Sequence, residues 1–148
     1  MTITAPSSSA VDDDHVAVRR ALLPVALVAT AIAITLSVLE ANSNPERIVE
    51  VAVELVAGGL LFALVLPRGL RKPSAGGRGI VLGVIAVLLV VPAFWSGLPL
   101  LMGSAAALLG LAGRRADRGA GTAIAALVLG VLGVVGYASI YILDAVTH

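Results

Sequence analysis

The chain has 148 residues, 59% of them hydrophobic and 13% charged, with a mean hydropathy of +1.04. That composition excludes an ordinary soluble domain and points to an all-α integral membrane protein. A net charge of +1, no Cys and five aromatic side chains argue against disulfides, thiolate metal sites, iron–sulfur clusters and base stacking, so nucleic acid is not an expected partner.

Residues 1–18 are rich in Ser, Ala and Asp and lack the basic start of a signal peptide; they read as a disordered cytoplasmic tail. Asp12, Asp13 and Asp14 read as a solvated acidic run. The first apolar run, Ala21 to Leu39, carries no charge and has about the 20 residues that cross a hydrocarbon core of about 30 Å. Arg19 and Arg20 precede it and Glu40 follows. Asn42-Ser43-Asn44-Pro45 then supplies turn formers, with Asn44 as the expected N-cap and Pro45 at the first helical position, where a missing N–H costs least. The second run extends from Ile48 to Leu66 and is closed by Pro67. These two runs form a front pair over residues 19–66.

Residues 67–79 read as a basic cytoplasmic linker. The apolar stretch from Ile80 to Ala112 would be about 50 Å long as one helix, too long for a single crossing. Pro92, Ser96-Gly97 and Pro99 divide it into Ile80 to Trp95 and Leu98 to Ala112, a short helical hairpin that forms either two full crossings or a re-entrant pair. After the basic loop Gly113 to Gly121, a last run from Thr122 to Leu143 completes a three-helix back half over residues 80–143, with Tyr137 and Tyr141 placed for the far interface and 144–148 as a short outer tail.

Charge placement gives an independent reading of the same five spans. Arg19 and Arg20, then Arg68, Arg71, Lys72 and Arg78, then Arg114, Arg115 and Arg118 all fall on one side; of the ten basic residues only Arg47 does not. The positive-inside tendency makes that side the cytoplasm, which puts the N-terminus inside and the C-terminus outside in a bacterial cytoplasmic membrane. Arg68, Arg71, Lys72, Arg78, Arg114, Arg115 and Arg118 are read as topology determinants and as candidate contacts to anionic lipid headgroups.

Small residues recur at packing intervals: Gly103, Ala107 and Gly110 in the fourth span, and Ala126, Gly130, Gly133 and Gly136 in the fifth. Such spacing predicts a tight pair of helices. Ile80-Val-Leu-Gly-Val-Ile recurs as Leu127-Val-Leu-Gly-Val-Leu, with Gly83 and Gly130 in equivalent places. Both copies run in the same direction, unlike the inverted repeats of many transporters. With its "VLG" hairpin, the basic loop Gly113-Arg114-Arg115-Ala116-Asp117-Arg118-Gly119 and the Gly-rich last span, the segment Gly79 to Leu143 resembles small multi-pass membrane proteins of unknown function in actinobacteria. The resemblance implies no catalytic residues.

No phosphate loop, zinc-binding helix motif or Ser/His/Asp set occurs at usable spacing, and His15 and His148 are both terminal. No enzyme activity, cofactor or metal is therefore expected. The one unusual polar feature is Glu46, Glu50 and Glu54, whose spacing of four stacks them on one helical face. If hydrocarbon begins near Ile48, Glu54 lies about 9 Å deep, where a carboxyl faces protein or water rather than lipid. Two functions follow as expectations. The first is a non-enzymatic accessory or scaffold subunit, with other membrane protein subunits or copies of itself as partners, in a respiratory or transport assembly. The second is a small ion- or proton-coupled carrier or channel using Glu50 and Glu54.

Overall fold

In a computed structural model, residues 8–40, 43–70, 75–93, 95–115 and 119–147 are described, the side chains of 8–15, 40, 75 and 145 excepted. Helices are the only regular structure among them: α1 (Ser8–Glu40), α2 (Asn44–Gly59), a π-helical segment (Leu60–Val65), α3 (Leu66–Leu70), α4 (Ala75–Leu89), α5 (Leu98–Gly113) and α6 (Ala120–Thr147). The stretches Val16–Leu39, Asn44–Leu70 and Ala120–Asp144 are long and apolar enough to cross a membrane; α4 and α5 are shorter apolar helices.

Packing contacts fix the topology. An added Cβ at Gly76 would meet Thr122 and Ala123, and one at Gly113 would meet Ala123, so the start of α4, the end of α5 and the start of α6 share one end of the bundle. Gly69 lies against Leu109, and Arg19, Leu22, Pro67 and Leu70 line one pocket, which brings the front pair's basic residues to that same end. Successive segments thus run up and down. Arg19, Arg68, Arg78, Arg114 and Arg115 cluster at one end, while Glu46, Arg47, Glu50 and Asp144 lie toward the other.

At the centre stands α5, only 16 residues long and buried around its circumference from Pro99 to Ala112. A helix apolar on all sides belongs inside, and α1, α4 and α6 with the end of the front helix surround it. The outer helices invert the pattern of a water-soluble bundle: Leu27 on α1, Ile48 and Val56 on α2, Leu88 on α4, and Val128 and Leu143 on α6 are all exposed.

Four segments differ from the sequence reading. The tail expected to be disordered through residue 18 is helical from Ser8, and Val18 is fully buried. No Gly or Pro interrupts the chain between Ser7 and Arg20, and burial of Val18 anchors its last turn. The N-cap of α2 is Ser43 rather than Asn44, its Oγ accepting from the Glu46 N–H. Pro67 does not close the second run, because the helical path continues to Leu70. In a regular helix its ring would meet the carbonyl of residue 63; the π-helical turn from Leu60 to Val65 widens the coil at that place and admits it. The linker is also shorter than expected: α4 begins at Ala75, where Gly76 and Gly79 let it press on α6 and α5.

The two copies of the "VLG" motif lie side by side, with Gly83 against Leu129 and the backbone of Gly130. Tyr137 is buried in the core rather than turned to an interface, its ring 5.0 Å from that of Tyr141.

Candidate functional site

Glu54 and Ser37 are the buried polar side chains among the described residues. Glu54 is 1% exposed. Three parts of the fold meet there: the end of α1, the middle of α2, and the turn that leads into α5.

The Ser37 hydroxyl donates to Glu54 Oε1, and the backbone N–H of Gly97 donates to the same oxygen at 2.6 Å. Gly97 is the N-cap of α5 and has no capping side chain of its own. The first N–H groups of a helix lack intrahelical partners, and in a capping box a Glu of the same helix reaches back to the cap N–H. Here a Glu from another helix does so, while Pro99 in the first turn removes one further donor. A carboxyl at a helix N-terminus also meets the positive end of the helix dipole.

Gly97 is required sterically. A Cβ at this position would stand 2.1 Å from Ala33 Cβ and 2.7 Å from Glu54 Oε1. The hairpin turn therefore presses onto α1 at a distance that admits no side chain. The turn itself is held by Ser96, whose N–H and hydroxyl both donate to the Ala93 carbonyl.

The second carboxylate oxygen, Oε2, is buried without a hydrogen-bond partner among the described residues. Exposure falls stepwise along α2: Glu46 is exposed, Glu50 half-buried, Glu54 buried. Ala29, Ala33, Leu61, Phe62, Leu100 and Leu101 belong to the buried apolar core.

Of the two predicted ion or partner contacts, Glu54 thus lies at the junction and Glu50 one turn outward. Arg47 is exposed, and the Glu40 side chain lies outside the described residues. The tight pair expected from small residues is present: a Cβ on Gly110 would lie 2.4 Å from Leu127 N, one on Gly130 2.5 Å from Ala107 N, and one on Gly103 2.9 Å from the Gly130 carbonyl. Gly133 instead faces Ala86 of α4. Arg68, Arg114 and Arg115 are exposed at the basic end; Arg71, Lys72 and Arg118 lie outside the described residues. Sequence reasoning had no means of assigning Ser37 and Gly97 to Glu54. Ser37 carries no local signal of a partner, and Ser96-Gly97 signals only a turn.

Compared with protein families, curated proteins and solved structures, the chain matches none of them.

Proposed function

We propose that this chain is a non-enzymatic, five-span subunit of a membrane assembly, with its basic end at the cytoplasmic face of a bacterial inner membrane. In this reading Glu54 is a latch that joins the front pair to the α4–α5 hairpin.

The observation that carries the reading is the outer face of α2 and its π-helical continuation. Ala52, Gly59 and Ala63 are all exposed, and a Cβ at Gly59 would have nothing within 4 Å. In lipid, association of helices depends on close backbone approach, and a small-residue face without an internal neighbour fits a helix of another subunit or a second copy. The near-complete burial of Glu54, 1% exposed, favours a scaffold over a conduit. In mild detergent, the protein extracted from native membranes is expected to run as a defined complex heavier than the 14.9 kDa chain. A native mass spectrum showing only that single chain would remove this reading.

A proton- or cation-coupled role using Glu50 and Glu54 is favoured by the stepwise burial from Glu46 to Glu54, which leads from the bundle end to the buried Oε2. Reconstituted vesicles test it. Flux that persists unchanged in the Glu50→Gln, Glu54→Gln double variant would end that reading and leave the latch in place.

A further inference from the structure

A groove of about 560 Å³ opens between α4 and the π-helical segment with α3 at the basic end of the bundle, within the ~300–1,000 Å³ typical of small-molecule sites. Leu64, Val65, Val81 and Leu82 wall it, and Arg68 and Arg78 stand about one helical turn nearer the basic end. Gly77 lies at the mouth, with open space where a side chain would stand. Leu64 and Val65 belong to the π-helical turn, so the same widening that admits Pro67 shapes one wall.

Arg68 donates to the Leu64 carbonyl at 3.4 Å, a long contact that leaves its other N–H groups available. Among the described residues neither Arg68 nor Arg78 pairs with a carboxylate. Two cations at the mouth of an apolar cleft call for a ligand with an anionic head and a hydrocarbon tail. A guanidinium binds phosphate through paired N–H groups, and the leucine and valine walls have the chemistry of an acyl chain.

We propose that this groove binds one anionic glycerophospholipid, its phosphate held by Arg68 and Arg78 and one acyl chain laid along Leu64, Val65, Val81 and Leu82. Juxtamembrane arginines at the cytoplasmic leaflet already attract anionic lipid as a diffuse layer. The groove converts that attraction into a site with a stoichiometry. The proposal rests on the membrane reading above, but its failure would leave the topology and the oligomeric mass, which are measured separately, untouched.

The test uses the full-length protein in a neutral detergent, with dioleoylphosphatidylglycerol or dioleoylphosphatidylcholine added and bound lipid counted by native mass spectrometry. One phosphatidylglycerol per chain is expected to bind in preference to phosphatidylcholine. The Arg68→Gln, Arg78→Gln double variant is expected to weaken it about thirtyfold, roughly a factor of five for each arginine near the surface. Val81→Trp, which fills the groove without touching a charge, is expected to expel the lipid as well. It also decides the matter if the double arginine variant does not fold. Arg114→Gln, a charge loss outside the groove, is expected to leave binding intact. Equal binding of the two lipids, an equal loss in Arg114→Gln, retention in Val81→Trp, or displacement by inorganic phosphate at the lipid's own concentration would each overturn the proposal.

Discussion

Gly110→Ala and Gly130→Ala, each a change of one methyl group, are expected to lower the unfolding free energy in detergent by about 3 kcal/mol or more. Overpacking a core costs about 1–3 kcal/mol when neighbouring side chains can give way. Here they cannot. The new Cβ at position 110 would lie 2.4 Å from Leu127 N and 2.5 Å from the Ala123 carbonyl oxygen, and the one at position 130 would lie 2.5 Å from Ala107 N and 2.6 Å from the Gly103 carbonyl oxygen. All four are backbone atoms of a facing helix, so relief requires α5 and α6 to separate, and α5 is the helix around which the bundle is built. Gly121→Ala supplies the contrast. Nothing lies within 4 Å of its added Cβ, and alanine is the better helix former, so that variant is expected to be neutral or more stable by up to about 1 kcal/mol. Denaturant titration followed by circular dichroism measures all three. Equal stability of Gly110→Ala and Gly121→Ala would mean that the two helices do not meet as described.

The second large effect is expected at Glu54. Replacement by Leu keeps most of the volume but leaves the Ser37 hydroxyl and the Gly97 N–H without their acceptor in a buried site. A buried donor stripped of its partner costs about 1–3 kcal/mol, so Glu54→Leu is expected to cost about 2–4 kcal/mol in total. Glu54→Gln retains a carbonyl oxygen in the place of Oε1 and sets its amide NH2 where Oε2 already lacks a partner, so it is expected to cost less than Glu54→Leu. Gly97→Ala is expected to resemble Glu54→Leu, because the added methyl group would stand 2.1 Å from Ala33 Cβ and force the turn off α1. If Gln proved as damaging as Leu, the two hydrogen bonds would not be what holds the hairpin to the front pair.

The apolar runs were legible because the length of chain needed to cross hydrocarbon is a property of composition alone. The tight α5–α6 pair was legible for a related reason: spacings of three and four residues place Gly103, Gly110 and Gly130 on helix faces without knowledge of the partner. Glu54 stood out as a carboxyl within an apolar run. Its partners did not, because Ser37 is 17 residues away in sequence and Gly97 is 43, and nothing local to either residue encodes the pairing. The continuation through Pro67 was hidden for a different reason. Proline is a reliable helix breaker only when the preceding turn is regular, and the π-helical turn at Leu60–Val65 is a backbone adjustment with no residue signature. At the other helix ends, burial of Val18 and the close seats of Gly76 and Gly79 extend helices into stretches whose composition reads as tail or linker.

The short α4–α5 hairpin was the segment on which two readings stayed open, and its turn now has a level. Gly97 packs at Ala33 on α1 and bonds to Glu54, opposite Ser37, so the turn lies level with Ala33 to Ser37, inside the first apolar run, whose last residue is Leu39. The first ten residues of α2 extend past Glu54, about 15 Å of helix beyond the turn. Labelling at the turn separates two full crossings from a re-entrant pair.

The absence of Cys makes the topology directly measurable, since any introduced thiol is the only one in the chain. Single variants Arg115→Cys at the basic end, Val91→Cys in the hairpin turn and Val146→Cys near the end of α6 all place the thiol at an exposed position. With a membrane-impermeant maleimide applied to intact cells, Val91→Cys and Val146→Cys are expected to be labelled and Arg115→Cys only after permeabilisation. Labelling of Arg115→Cys from outside, or protection of Val91→Cys and Val146→Cys until the membrane is opened, would contradict the five-span arrangement with its basic end in the cytoplasm.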